Sequence, residues 1–212
     1  MSPRPQIDHI RKPQLLAAAA EVIAERGIAA TRISDVAERA GTSSPAVLYW
    51  FGSKEELLSE ALTWEEDRFY AELTGRLAAL LTPSERMALL IDACSTGGGW
   101  TLWMELWSRA LRDPGVAEAR GALDKRWRTV IAEIVEEGIA AGEFADRDAG
   151  EVAWTLAALL DGLAVQVTLE DPEMPPERMT VIARRVAEAE LGSVLPPAPE
   201  VDADNSTEAV VA

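Results

Sequence analysis

The chain has 212 residues, 48% of them apolar, and a formal net charge of -16. That length fits one large domain or two small ones with a real core. The lone Cys94 excludes an internal disulfide, no apolar run is read as long enough to span a membrane, and no signal-peptide pattern opens the chain, so a cytoplasmic protein is expected. Ala and Leu are abundant and strand-like alternation is absent, which predicts an all-α fold. The acidity is unevenly spread. Residues 1–54 hold seven basic and five acidic side chains, a balance of +2, while the remainder is at -18. Such a distribution would turn the first quarter of the chain towards a polyanion and the rest away from it. Acidic residues that only keep the protein soluble explain the same numbers.

Residues 1–10 are short of apolar groups, contain Pro3 and Pro5, and are expected to be a disordered arm, with Arg4, Arg11 and Lys12 as candidate phosphate contacts. Pro13 suits a first helical turn. Leu15, Leu16, Ala19, Ala20 and Ile23 then form a core stripe up to Gly27. The next helix is expected from about Ile33 to Ala40, with Val36, Ala37 and Ala40 inward and Gly41 ending it. Ser43 can cap a further helix with Pro45 in its first turn, and Val47, Leu48 and Phe51 are expected to face inward. Two short amphipathic helices joined by this tight turn read as a helix-turn-helix, whose second helix lies in the DNA major groove.

Each polar or exposed group of that unit has a candidate role. Thr31 and Arg32 stand where the amino-terminal end of the first short helix would meet a phosphate. Thr42, Ser43, Ser44, Pro45 and Ala46 lie at the turn and the start of the second helix. Serine hydroxyls bond bases or phosphates, and the Ala46 methyl suits a thymine methyl. The second helix offers no Arg, Asn or Gln for bidentate base reading, so specificity is expected from apolar contacts, from Arg32 and from DNA shape.

Further along, Ser53-Lys54-Glu55-Glu56 and Thr82-Pro83-Ser84-Glu85 read as capping boxes, each opening a helix. The first of these helices carries Leu57, Leu58, Ala61, Leu62, Phe69 and Leu73 towards Leu81. The second runs through Met87, Leu90, Ile91 and Cys94 to a break at Gly97-Gly98-Gly99. Trp100, Trp103 and Trp107 recur at helical spacing before Asp113-Pro114. They are either a tryptophan-rich core stripe or a wall of a ligand pocket. In the second reading Trp100, Trp103, Met104, Glu105, Trp107 and Trp127 are the candidate ligand-binding residues, with Asp92, Glu65 and Asp161 as other sources of polarity. A long helix over 115–141 is closed by Gly142 and carries Val116, Leu123, Trp127, Val130, Ile131, Ile134 and Val135 inward. Two more helices follow, over 148–170 and from Pro176 to about Leu191. Both are apolar around much of their circumference and so need a partner beyond their own body. Residues 193–212, rich in Pro, Ala and acidic groups, read as a disordered tail.

The run of Thr31, Ala37, Gly41, Leu48-Tyr49-Trp50-Phe51, Ser53-Lys54 and Leu57-Leu58, behind a helix ending at Arg26-Gly27, resembles the DNA-binding domain of the tetracycline-repressor (TetR) family over about residues 9–69. The resemblance implies an all-α protein of about nine helices. It would have a three-helix DNA-binding head over 11–53, a ligand-binding and dimerising body over 54–192, and a palindromic double-stranded operator as partner. It further implies that Tyr49 and Lys54 bond phosphates and that Trp50 packs at the DNA surface, although packing inside the head suits Trp50 equally. The last two helices would pair with their symmetry mates, with Trp154, Leu156, Leu159, Leu163, Val167, Met179, Ile182 and Val186 as candidate homodimer contacts. Trp-Met-Glu-Leu-Trp (103–107) and Glu-Glu-Gly-Ile-Ala-Ala-Gly-Glu-Phe (136–144) are similar to the branch that includes the choline-responsive betaine regulators, which suggests a cationic effector held by tryptophans; a hydrophobic one fits as well.

The function expected is a transcription regulator, a repressor released by a small-molecule effector. The competing reading is a helical dimer that binds other proteins and no DNA. No catalytic set can be assembled, because His9 is the single histidine. No metal cluster, cofactor motif or membrane partner is expected.

Overall fold

The computed structural model describes residues 8–77, 81–96 and 100–199. The expected arm before residue 8, the Gly97–Gly99 break, the passage from 78 to 80 and the tail from residue 200 lie outside them. The described residues form nine α-helices and no strand. They are α1 (Asp8–Ala30), α2 (Ile33–Arg39), α3 (Ser44–Phe51), α4 (Lys54–Leu77), α5 (Pro83–Thr96), α6 (Trp100–Ala110), α7 (Pro114–Ala140), α8 (Ala149–Thr168) and α9 (Pro176–Leu191).

The chain divides into two compact units. One comprises residues up to Tyr70 with Thr101–Leu106, and the other comprises Ala71–Trp100 with Trp107 onwards. The division falls within α4, after Tyr70, whereas the sequence placed the end of the head at residue 53. The reason is burial: Leu57, Leu58, Ala61 and Leu62 on the first half of α4 are withdrawn from solvent and belong to the first unit.

In the first unit α1 packs on α2, and α2 on α3. Leu15, Leu16, Ala19, Ala20 and Ile23 of α1, Val36 and Ala37 of α2, and Val47 and Phe51 of α3 are buried, as their spacing predicts. Leu48 is not: it is 40% exposed. Helix α1 starts three residues before the expected position and kinks at Gly27, where φ is +74°. An L-residue strains in that region, so glycine is needed for the chain to turn there.

In the second unit α8 packs between α7 and α9, and α5 lies on all three. The starts of α5 and α7 follow local chemistry. The Thr82 hydroxyl accepts the Glu85 N–H at 3.2 Å while the Glu85 carboxylate accepts the Thr82 N–H at 2.8 Å, so this capping box is complete. Only the first half of the other box is seen, with Ser53 Oγ accepting the Glu56 N–H at 3.0 Å; the Ser53 N–H donates to Phe51 O instead. Asp113 caps α7 by accepting the Gly115 and Val116 N–H groups. Glu143, in the turn after α7, accepts the Ser84 N–H and hydroxyl at 3.0 and 2.6 Å and so fixes the start of α5. By length and composition α8 would suffice to cross a membrane, contrary to the sequence reading. Its buried face is nonetheless part of the body's core, with Val152, Ala153, Leu156, Ala157, Leu160, Leu163 and Ala164 withdrawn from solvent.

Residues 193–199 are not a free tail. Leu195 is buried, its N–H donates to Glu188 Oε1 at 3.1 Å, and Arg184 donates to the carbonyls of Leu195 and Pro196 at 2.6 and 2.8 Å. The segment is strapped onto α9 by bonds that composition does not reveal.

Candidate functional site

The turn between α2 and α3 is built by backbone bonds and one glycine. Gly41 has φ +65°, and the Thr42 N–H donates to Ala37 O at 2.8 Å, which closes α2. Ser43 then caps α3 by accepting the Ala46 N–H at 3.4 Å. This fixes α3 with Val47 and Phe51 in the core and with Pro45, Leu48 and Tyr49 exposed; Ser44, Ala46 and Trp50 are half-buried. Tyr49 is 75% exposed and meets Trp50 edge-on, with ring centroids 6.2 Å apart.

The cations around α3 fall into two groups. Arg39 is held by Glu21 and Glu25 at 2.8 and 2.7 Å, and its guanidinium keeps the Glu25 carboxyl below the usual range. Arg26 pairs with Asp35 at 3.3 Å, and Lys12 pairs with Glu60 at 2.6 Å over the Phe51 ring. Those three tie elements of the first unit together. Among the described residues, Arg32 and Lys54 form no ion pair, and Arg32 is exposed. Both flank the helix-turn-helix in the chain, and neither is committed to a carboxylate, which leaves them for a phosphate.

Thr31 departs from its expected role. Its side chain is buried, and its hydroxyl donates to Gly27 O at 2.8 Å. It braces the kink of α1, and the Asp35 carboxylate accepts the Arg32 N–H at the mouth of α2.

The expected ligand wall is divided. Trp103, Met104 and Glu105 belong to the α6 segment that clusters with the first unit, and Trp100, Trp107 and Trp127 to the second. Glu105 Oε1 lies 2.8 Å from the position a Cβ on Gly27 would take, so this carboxylate sits at the α1 kink. The most buried residues of α6 are Leu102 and Leu106, with Trp100, Trp103 and Trp107 half-buried beside them.

In the second unit the electrostatic focus is Asp161 of α8. It is the one charged residue between Glu151 and Glu170, and that isolation was its signal in the sequence. Its carboxyl is pushed up to about 6, first by burial and then by the neighbouring Asp124; Arg120 and Arg128 pull it the other way. Burial, and Asp161 itself, raise the Cys94 thiol as well. Arg120 is engaged by Asp124, and Arg128 lies 3.9 Å over the Trp154 ring. Trp127 is buried one turn along α7 from Asp124, and Trp100 Nε1 donates to Cys94 O at 3.0 Å. Asp124, Arg120 and Arg128 were missed by sequence reasoning, because α7 is mixed in charge along its length and nothing local marks which of its charges approach α8.

Of the candidate dimer contacts, Leu156, Leu163 and Met179 are buried within the chain's own core, where they fasten α8 and α9 to the body. Leu159, Val167, Ile182 and Val186 are half-buried, and Trp154 is 57% exposed.

The family model described as bacterial regulatory proteins, tetR family, matches residues 15–61, and that of the BetI-type transcriptional repressor, C-terminal, matches residues 83–192. The chain belongs to the TetR family, with a BetI-type body. This TetR-family chain is therefore a DNA-binding transcriptional regulator and not an enzyme. It is 30% identical over 171 residues to the transcriptional regulator BetI of Burkholderia lata, covering 76% of this chain and 84% of that one. It is 26% identical over 187 residues to BetI of Vibrio parahaemolyticus, covering 85% and 92%. Among solved structures it is similar to a putative transcriptional regulator from Saccharomonospora viridis in complex with choline, with 29% identity, a TM-score of 0.77 and coverage of 84% and 95%. The regulator FadR from Bacillus subtilis in complex with stearoyl-CoA shares the fold, at 20% identity, a TM-score of 0.66 and coverage of 86% and 98%.

Proposed function

We propose that this TetR-family regulator is a cytoplasmic homodimeric repressor that leaves a palindromic operator when its body binds a small organic cation. The observation that carries the effector class is Asp161. A carboxylate half-buried beside a second one is costly to ionise, and a bound cation removes that cost. Trp127, one turn along α7 from Asp124, and Trp100, hydrogen-bonded to Cys94 O, are the rings that would add cation–π attraction of about 0.5 to 2 kcal/mol each. The -18 charge outside residues 1–54 disfavours a polyanionic effector by the same physics. The choline bound by the Saccharomonospora viridis relative is of the favoured class.

The dimer reading rests on surface left uncovered. About a third of the most apolar window of α8 is buried inside the chain, and Trp154, Leu169 and Val181 of the last two helices and the turn between them are exposed. A second copy laid on α8 and α9 would cover them and would set two α3 helices on successive major grooves. Repression is released if the effector binds the DNA-incompetent arrangement more tightly than the competent one.

Calorimetric titration of the full chain with choline, and with a neutral isostere of the same size, tests the effector class. Saturable binding of choline that weakens at least tenfold in Asp161→Asn, with no response to the isostere, is expected. Equal binding of both compounds, or binding unchanged by the substitution, would point to a hydrophobic effector instead.

A further inference from the structure

The recognition helix α3 presents an unusual surface for a DNA reader. Its eight residues carry no charge and no side-chain amide, and its most exposed large side chains are Leu48 at 40% and Tyr49 at 75%. One turn before them stand Ser44 and Pro45, so a mostly apolar strip runs along the outer face of the helix. The core does not need Leu48: Val47 and Phe51 already fill the inward positions at 0% and 2% exposure. Arg32 and Lys54, free of ion pairs among the described residues, precede and follow the helix-turn-helix in the chain. An exposed leucine alone would be ordinary surface. Exposed on the reading helix, it stands where a base edge would be met if that helix enters the major groove.

The major groove offers one feature that an aliphatic side chain recognises and a polar one does not, the 5-methyl group of thymine. We infer that Leu48 is a specificity-determining residue that reads a thymine methyl in each operator half-site. Pro45 and Ala46 line the approach, and Tyr49 is left to the backbone or a neighbouring base. The inference rests on the DNA-binding reading and extends it to a base identity. It also accounts for the absence of bidentate readers on α3: discrimination between thymine and cytosine is obtained by apolar contact, and positioning comes from the phosphate contacts.

The test uses the full chain and a duplex selected by it from a random-sequence library. Each thymine of that duplex is replaced in turn, in both half-sites, by deoxyuridine, which removes the methyl group and leaves pairing unchanged. Wild-type affinity is expected to fall about three- to tenfold per half-site at one thymine, the scale of one buried methyl. Leu48→Ala is expected to bind more weakly and to lose discrimination at that position alone. Leu48→Met, which keeps the apolar reach, is expected to retain it. The readout is a ratio of affinities for two duplexes on the same preparation, so a lower folded fraction in a variant does not alter it. Indifference of the wild type to every replacement, or undiminished discrimination by Leu48→Ala, overturns the inference and leaves DNA binding intact. Failure to enrich any duplex overturns the DNA-binding reading, and this inference with it.

Discussion

The Phe144 ring lies against the bare Cα of Gly138, and a Cβ built on Gly138 would overlap Cδ2 and Cε2 of that ring. The chain closes on itself here. The Glu143 and Phe144 N–H groups both donate to Gly138 O, Gly142 turns with φ +74°, and Phe144 is buried at the end of α7. Glu143, one residue away, holds the start of α5. Gly138→Ala should therefore displace the ring and loosen the α5–α7 junction. A loss of about 1–3 kcal/mol is expected in denaturant unfolding, the usual cost of overpacking a core. Gly121→Ala, on an open stretch of the same helix, should be neutral or slightly stabilising.

Thr31 separates a structural role from a phosphate contact. Its buried hydroxyl bonds Gly27 O, so Thr31→Val keeps the shape and removes one hydrogen bond. Stability should drop by about 1 kcal/mol, since the Gly27 carbonyl keeps the Thr31 N–H as a donor. The slope of DNA affinity against salt should not change, because no charge facing phosphate has been lost. A direct phosphate role for Thr31 would instead weaken binding at unchanged stability.

Asp161 makes a pH-dependent prediction. Its folded pKa of about 6 lies above the ordinary value of 3.8, so the folded state favours the neutral acid. Below about pH 4 both states hold the proton and there is no penalty. Between about 4 and 6 the unfolded chain releases the proton first, and above 6 the penalty is complete. Relative to Asp161→Asn, the wild type should lose about 1–3 kcal/mol as pH rises from 4 to 7, allowing for partial exposure. Paired urea titrations at the two pH values check this, and a constant difference between wild type and variant would refute it.

The strap after α9 is a stability element. Leu195→Ala should cost about 2–3 kcal/mol, in the range of a buried leucine truncation with partial collapse. Arg184→Ala removes both bonds to the strap and should raise proteolytic nicking after Gly192, which mass spectrometry of the digest would show.

Much of this was legible in the sequence because it is local. The Thr82 capping box, Gly41 and Ser43 at the turn, Pro176 at the start of α9 and the buried stripe of α1 follow from propensities and spacing within a few residues. What escaped was decided by packing between distant segments. Val47 and Leu48 both stand one turn from Phe51, and only the fit of α3 onto α2 selects Val47 for the core. Pro-rich composition hid the anchoring of Leu195, which depends on Arg184 and Glu188. The spacing of Trp100, Trp103 and Trp107 suggested one wall, but Trp103 falls with the first unit, where Glu105 meets the Gly27 kink, and Trp100 and Trp107 fall with the second. The pairing of Asp124 with Arg120 near Asp161 is likewise a property of α7 meeting α8.

The most direct measurement is the affinity of the full chain for the DNA upstream of its own gene over a salt series, beside a Tyr49→Ala, Lys54→Ala double variant. If α3 and its flanking cations form the DNA-binding face, the wild type binds tightly and its affinity falls steeply with salt, while the variant binds at least tenfold more weakly with a shallower slope. Equal binding by wild type and variant, with the same slope, would contradict the account and leave the helix-turn-helix as scaffold.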